Sequence, residues 1–262
     1  MTSDNYLPGL LVLHNSLVNT NAKFPFLVLL TKDISMDVVS IIKKRHISFE
    51  VIERDISNPT DVERTHRWFS TYSKLNVFNQ TKFDKIVYLD ADTFVLRNID
   101  ELFEFKHMSA TNAGGMLPRK LSWVHLNSGV FVAEPSGELF EDMISKIGKI
   151  EALKSMGTFE RPQHGSDQDF LNAYYPNWTQ RKELHLDHKY NIFHYYLDEY
   201  HQLFGYTIID SVKPISILHY ASYLKPWNMT MGELNELHID PKRKLESEAV
   251  KLWLSAYSEI KS

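Results

Sequence analysis

The stretch Lys85-Ile86-Val87-Tyr88-Leu89-Asp90-Ala91-Asp92-Thr93-Phe94-Val95-Leu96 decides how this chain is read. Ile86 to Leu89 is a short apolar, β-prone run, the signature of a buried parallel strand. It stops in two carboxylates separated by one small residue. Open α/β sheets bind ligands beyond the carboxyl ends of their strands, so Asp90 and Asp92 stand where a ligand is expected. Two hard oxygen donors on a tight bend at Ala91 suit a divalent cation that keeps positions free for phosphate oxygens. An Asp-x-Asp tripeptide alone is equally a solvated turn or a helix cap, the reading that fits Asp100 in Asn98-Ile99-Asp100-Glu101. The strand before Asp90 is what favours the metal, and the rest of the chain adds to it.

On the N-terminal side, Leu10, Leu13 and Leu17 recur at helical spacing, which predicts a helix over Leu7 to Val18 with Pro8 in its first turn. Phe26 to Leu30 reads as a strand, Ser35 caps a helix through Lys44, and Phe49 to Ile52 is the next strand. A third helix opens at Asp61 and carries Trp68, Tyr72 and Leu75. Strands alternating with helices predict a parallel sheet with right-handed crossovers. Past the central stretch, Ser128 to Ala133 is a strand and Ser136 caps a helix through Lys149. The segment from Gly157 to Ser166 is polar and irregular, and Asp167 starts a short helix through Tyr174. Ile215 to His219 is a late strand, and Leu245 to Ile260 gives the last helix one apolar face. No internal repeat or low-complexity linker interrupts the chain, so residues 1–262 read as one domain.

Composition sets the bounds. The chain has 262 residues, 43% hydrophobic and 24% charged, ordinary for a globular protein with a sizeable core. A formal charge of −4 speaks against a nucleic-acid surface. There is no cysteine, which excludes disulfides and thiolate metal sites. No apolar run approaches a membrane span, and Met1-Thr2-Ser3-Asp4-Asn5 has no leader character. The expectation is a cytoplasmic protein. Sequons at Asn79, Asn177 and Asn228 carry no weight without an entry signal.

Several further stretches line up with the central one. Leu126-Asn127-Ser128-Gly129-Val130-Phe131-Val132 follows it, then His164-Gly165-Ser166-Asp167-Gln168-Asp169-Phe170-Leu171-Asn172. Late in the chain stands His219-Tyr220-Ala221-Ser222-Tyr223-Leu224-Lys225-Pro226-Trp227. With Thr2-Ser3-Asp4-Asn5-Tyr6 and Tyr72-Ser73-Lys74-Leu75, this order resembles the family 8 glycosyltransferases, the group of glycogenin and galactinol synthase. The resemblance spans roughly residues 2 to 228.

The resemblance implies an α/β GT-A fold, a Rossmann-like nucleotide-diphospho-sugar transferase with a mostly parallel central sheet flanked by helices. It implies Mn²⁺, a UDP-sugar donor (UDP-glucose or UDP-galactose) and retention of anomeric configuration. By position Asp90, Asp92 and His219 match the metal ligands, and an imidazole suits a borderline metal. Lys225 matches a lysine on the diphosphate, and Lys74 one that reaches the donor. Asp167 and Gln168 match the pair nearest the anomeric centre. Thr2, Tyr6, Ala91, Asn127, Ser128 and Ser222 match donor-binding positions. The expected layout is a nucleotide-binding half over 1–105, an acceptor half over 106–230 and a helical segment over 231–262.

The chain departs from the family pattern in places. Glycogenins carry a strand before the segment matching Thr2 to Tyr6, and here that first strand is missing. Ser166 and Ser222 stand where the glycogenin pattern has glycine. The self-glucosylated tyrosine of glycogenin falls near Asp198, with Tyr195, Tyr196 and Tyr200 around it. The acceptor is therefore expected to be a small polyol or a glycan, with a glycogenin-like self-acceptor presented across a homodimer as the alternative. A disabled UDP-sugar binder is a further reading. A metal hydrolase at His185-Leu186-Asp187-His188 is the last, and there the missing glutamate base favours a polar loop.

Overall fold

The computed structural model describes residues 1–54, 56, 71–147, 166–209 and 212–261. Helix α1 (Leu7–Asn19) forms where the leucine spacing predicts it, with Pro8 in the first turn. Strand β1 (Leu27–Leu30) follows, then α2 (Met36–Lys44), where the Ser35 hydroxyl accepts from the Val38 N–H. Strand β2 (Ser48–Val51) lies parallel to β1, completing a β-α-β unit. The helix expected from Asp61 lies mostly outside the described residues. Tyr72 to Leu75 sit in a 3-10 stretch, Thr71–Asn79, that buries Tyr72, Leu75 and Phe78.

The deciding stretch is two strands rather than one. Strand β3 (Ile86–Leu89) and strand β4 (Thr93–Val95) are joined by Asp90, Ala91 and Asp92. They belong to different ladders. β3 runs antiparallel to β6 (Leu126–Ala133), whose other edge takes β5 (Ala110–Asn112), also antiparallel. β4 runs antiparallel to β8 (Ile217–His219), and β8 parallel to β7 (Ile192–Phe193). The mostly parallel sheet is thus corrected to a mixed one among the described residues. An apolar run reports that a strand is buried but says nothing of its direction.

Ile86 to Leu89 is also corrected from buried to half-buried. Its far edge faces a cavity of about 1050 Å³ instead of a neighbouring strand, and β1 forms the opposite wall. The place where the resemblance predicts a missing strand is therefore open.

Helices close the remaining faces. α3 (Gly137–Lys146) and α4 (Asp167–Tyr174) pack Phe140 and Phe170 against Tyr72, Phe78 and Phe131. Ser166 and Asp169 form a capping box at the start of α4, which fixes where that helix begins. α5 (Leu197–Phe204), α6 (Met231–Ile239) and α7 (Lys244–Lys261) gather around Leu218, Tyr220 and the fully buried Trp253. The apolar face of α7 packs on the body. No described helix is long and apolar enough to cross a membrane.

Candidate functional site

Strand register assembles the site. Thr93 of β4 lies opposite His219 of β8, which sets His219 beside Asp92. The Tyr220 N–H donates to the Asp92 carbonyl at 2.8 Å, and the Asp90 N–H donates to the Gly129 carbonyl at 2.8 Å. One ligand atom from each of Asp90, Asp92 and His219 then falls within 4.8 Å of the others. His219 Nε2 is 3.1 Å from Asp92 Oδ1 and 3.9 Å from Asp90 Oδ2.

The imidazole orientation follows from a hydrogen-bond chain. The Gly129 N–H and the Asn191 amide both donate to Asn127 Oδ1, at 2.8 and 2.9 Å. Asn191 Oδ1 is left to accept from His219 Nδ1–H at 2.9 Å. In the neutral ring Nε2 then carries a lone pair aimed at a carboxylate oxygen. At 3.1 Å from Asp92 Oδ1, Nε2 needs either a proton of its own or a cation between the two atoms. Two carboxylates and a bare imidazole nitrogen fit a divalent metal of mixed oxygen and nitrogen preference.

Two lysines balance the carboxylates. Lys225 Nζ is 2.5 Å from Asp92 Oδ2 and donates to the Tyr220 carbonyl at 2.8 Å. Lys74 Nζ bridges Asp167 Oδ2 at 2.7 Å and Asp90 Oδ1 at 3.1 Å. Burial pushes the Asp92 carboxyl up, but His219 and Lys225 outweigh it and hold Asp92 well below the ordinary carboxylate range. Asp90 goes the other way, lifted by burial and by Asp92 against the pull of Lys74. Burial alone would draw the Lys74 ammonium down; Asp167 and Asp90 reverse this and keep it raised and charged.

Comparisons with known proteins place the chain in a family. The model of Glycosyl transferase family 8 matches residues 1–231. The chain belongs to this family. Human glycogenin-1 is 30% identical over 95% of this chain. Inositol phosphorylceramide glucuronosyltransferase 1 of Arabidopsis thaliana is 35% identical over 68% of it. The chain spans 64% of the length of the first and 30% of the second. An uncharacterised protein of Acanthamoeba polyphaga mimivirus is 29% identical, covering 98% of this chain and 90% of its own. Among solved structures, an active-site mutant of LgtC aligns with a TM-score of 0.59 at 16% identity, covering 97% of this chain and 94% of its own. GlyE of Streptococcus pneumoniae TIGR4 gives 0.58 at 20% identity, covering 98% and 62%. These likenesses show the GT-A glycosyltransferase fold.

In this family 8 glycosyltransferase nearly every residue singled out from the sequence meets at one cavity. Thr2, Tyr6, Lys74, Asp90, Ala91, Asp92, Asn127, Ser128, Asp167, Gln168, His219 and Lys225 all line it. Ser128 ties the parts together: its hydroxyl donates to Asp167 Oδ2 at 2.8 Å and its N–H to Gln168 Oε1 at 3.1 Å. The Tyr6 ring lies edge-on to Trp227 with centroids 5.8 Å apart. Ser222 is the exception. Its hydroxyl donates to the Leu224 carbonyl at 2.5 Å, and Ala221 takes its place on the cavity wall.

Three participants escaped the sequence reading. Tyr88 donates its hydroxyl to Asp90 Oδ1 at 2.8 Å, and the strand period of two could have shown that these residues share a face. Gly129 sits against His219: a Cβ there would lie 2.4 Å from Cε1. A glycine inside an otherwise buried strand signals such an approach. Asn191 gives no signal in the sequence. At His185-Leu186-Asp187-His188 the residues serve the fold: His185 stacks on Trp178 at 4.2 Å, and Asp187 accepts from Tyr206 at 2.9 Å. Among the described residues, Asp90, Asp92 and His219 make the one cluster with metal-ligand spacing.

Proposed function

We propose that this chain is a retaining, Mn²⁺-dependent hexosyltransferase that moves glucose or galactose from a UDP-sugar to a hydroxyl of a small polyol or a glycan. The observation that carries the reading is the Asp90, Asp92 and His219 cluster on one wall of a cavity that also holds Lys74, Lys225, Asp167 and Gln168. Bound to those ligands, Mn²⁺ supplies positive charge for a diphosphate leaving group. Lys225 is a mobile point charge that exchanges Asp92 for a phosphate oxygen when the donor enters. Lys74 stays on Asp90 and Asp167 and adds a fixed positive potential where charge develops.

Asp167, held by Lys74 and Ser128, binds donor-sugar hydroxyls, and Gln168 presents its amide toward the anomeric carbon. The bond from that carbon to the UDP oxygen breaks while the acceptor oxygen bonds on the same face. The acceptor proton passes to the departing phosphate oxygen. This needs no covalent nucleophile, and Asp167 is tied to two partners that blunt it as one.

Residues 1–105 form the donor half and 106–230 the acceptor half in this reading, with 231–262 as a helical brace. A cytoplasmic setting belongs to it, supported by a chain without cysteine.

The test is turnover of UDP-glucose, UDP-galactose and UDP-glucuronic acid against a panel of polyols and glycans, with Mn²⁺ and with EDTA. The expected result is transfer from a hexose donor that EDTA stops and Mn²⁺ restores. Asp92→Ala should abolish transfer with the circular dichroism of the wild type, because it removes a ligand rather than core. Turnover indifferent to EDTA overturns the metal role, and UDP binding without turnover on any acceptor leaves a sugar-nucleotide binder.

A further inference from the structure

One part of the cavity wall is built from a loop and a row of rings that the metal cluster does not use. The loop joins β5 to β6 and brings Arg119, Lys120, Ser122 and Trp123 to the cavity. Its backbone is closed on itself. The Lys120 N–H donates to the Leu117 carbonyl and the Trp123 N–H to the Lys120 carbonyl, both at 2.8 Å, and the Gly114 N–H donates to the Trp123 carbonyl at 2.8 Å. Gly114 permits this closure, since a Cβ there would lie 2.2 Å from the Lys120 carbonyl oxygen. The loop is also anchored: Leu117 is fully buried, and the Met116 N–H donates to the Tyr200 hydroxyl at 3.0 Å. Lys120 and Trp123, both half-buried, thus stand on a fixed frame.

The rings lead from the metal cluster to this loop. Phe193 lies edge-on to His219 with centroids 5.2 Å apart, Tyr195 follows Phe193 at 5.5 Å, and Tyr196 follows Tyr195 at 4.4 Å. The Arg119 guanidinium covers Tyr196 at 5.1 Å. Phe193, Tyr195 and Trp123 all line the cavity. The face of an aromatic ring is electronegative and receives the C–H face of a sugar or cyclitol ring.

The two basic residues of the loop differ. Arg119 is neutralised by Glu199, which accepts from both of its terminal nitrogens. The Lys120 ammonium lies over the Trp123 ring at 5.6 Å, and among the described residues no carboxylate pairs with it. Asp90, Asp92 and Asp167 are matched by Lys74 and Lys225 instead. Lys120 therefore adds positive charge to the cavity beyond what the metal cluster balances, and a lysine is a point charge suited to an oxyanion. Asp167 and Gln168, the residues assigned to the donor sugar, hang from Ser128 and Lys74 and not from this loop.

We propose that Lys120 and Trp123, with Tyr195, form a subsite for an acceptor that carries an anionic group, a phosphate or a carboxylate, on or beside the ring that is glycosylated. Trp123 and Tyr195 hold the ring, and Lys120 takes the anion. This subsite rests on the transferase reading above and adds the charge class of the acceptor to it.

The test measures initial rates with UDP-glucose and UDP-galactose on matched acceptors: myo-inositol against inositol monophosphate, and methyl glucoside against methyl glucuronide. The anionic member of a pair should show a KM lower by about tenfold or more, the scale of one hydrogen bond to a charged group. Added salt should shrink that preference. Lys120→Gln should remove it and Lys120→Glu reverse it, while Trp123→Leu raises KM for both members. Equal KM within both pairs, a preference that Lys120→Gln leaves intact, or a Trp123→Leu variant that matches the wild type overturns the proposal while transfer itself stands. A Lys120→Gln variant that weakens binding of UDP-glucuronic acid and leaves the acceptor preference alone places the anion on the donor, and overturns it too. Absence of transfer to every acceptor strikes the transferase reading instead. The subsite is then judged by titrating the wild type and Lys120→Gln with myo-inositol and with inositol monophosphate while following the Trp123 ring resonances. Tighter binding of the phosphate in the wild type alone supports the subsite, and equal binding in both proteins overturns it.

Discussion

His219 can serve as a ligand only when its ring is turned so that Nε2 faces the carboxylates, and Asn191 does the turning. The chain from Gly129 through Asn127 and Asn191 to His219 Nδ1 leaves one tautomer for the neutral ring. Partners of this kind raise metal affinity about 10- to 100-fold. Asn191→Ala should therefore weaken Mn²⁺ binding by that factor, read by calorimetry on the folded protein. It should leave UDP binding without metal unchanged, since Asn191 stands behind His219. Unaltered Mn²⁺ affinity would show that the ring orients itself. The carboxylates were legible because two aspartates after an apolar run have a physical meaning on their own. His219 became legible only through the wording around it, since a strand-end histidine is otherwise a core residue. Asn191 was not legible, because its role depends on β7 lying beside β8, which no local spacing encodes.

At the scale of elements, α1 is held against the turn from Asp90 to Asp92 by the absence of a side chain. A Cβ on Gly9 would lie 2.5 Å from the Ala91 carbonyl oxygen and 3.0 Å from the Trp227 ring. Neither neighbour gives easily, one being backbone and the other a ring packed at a tilt on Trp253, centroids 5.2 Å apart. Two effects of Gly9→Ala oppose each other. Helix propensity favours alanine by about 0.5–1 kcal/mol, whereas overpacking costs about 1–3 kcal/mol. The contact is to the turn between Asp90 and Asp92, so the steric term should win. The variant should unfold at lower urea and bind Mn²⁺ more weakly, and a gain in stability would mean that α1 slides freely on the turn. The elements themselves were largely readable. Leucine spacing marked α1, Ser35 and Ser136 marked helix starts, and the apolar runs marked β1, β3 and β6. What could not be read was pairing. The direction of β3, the separate strand β4 and the open edge facing β1 arise from contacts distant in sequence. The half-burial of Ile86 to Leu89 is the visible consequence.

For the molecule as a whole, two behaviours follow from what is buried. His194 lies under Tyr220 at a ring distance of 4.8 Å, with Glu246 at 3.9 Å and His219 and Lys225 nearby. Burial is the main cause that pulls its imidazole down from 6.5 to about 3. The unfolded chain thus takes up a proton below pH 6.5 that the folded chain refuses, so stability falls as the pH drops from there toward 3. One such group contributes a slope of up to about 1.4 kcal/mol per pH unit. His107 and His188 act in the same direction. His194→Gln should flatten the urea midpoint between pH 6.5 and 5 by one histidine's share, and an unchanged slope would place the acid sensitivity elsewhere.

The second behaviour concerns the acceptor. Self-glucosylation needs a tyrosine hydroxyl free to reach the donor. Tyr200 is excluded, being buried with its hydroxyl accepting from the Met116 N–H at 3.0 Å. Tyr196 lies under the Arg119 guanidinium at 5.1 Å, and that arginine is paired with Glu199. Tyr195 remains, on the cavity wall, with its ring against Phe193 at 5.5 Å and Tyr196 at 4.4 Å. Such a cluster holds a ring in place by its area and edge contacts. A fixed ring fits the floor of an acceptor subsite better than an arm that must swing. Incubation with Mn²⁺ and UDP-glucose should therefore leave the intact mass unchanged, while Tyr195→Phe lowers transfer to a separate acceptor through KM. A ladder of hexose additions that Tyr195→Phe removes would make this tyrosine the acceptor itself, and the chain a self-priming enzyme.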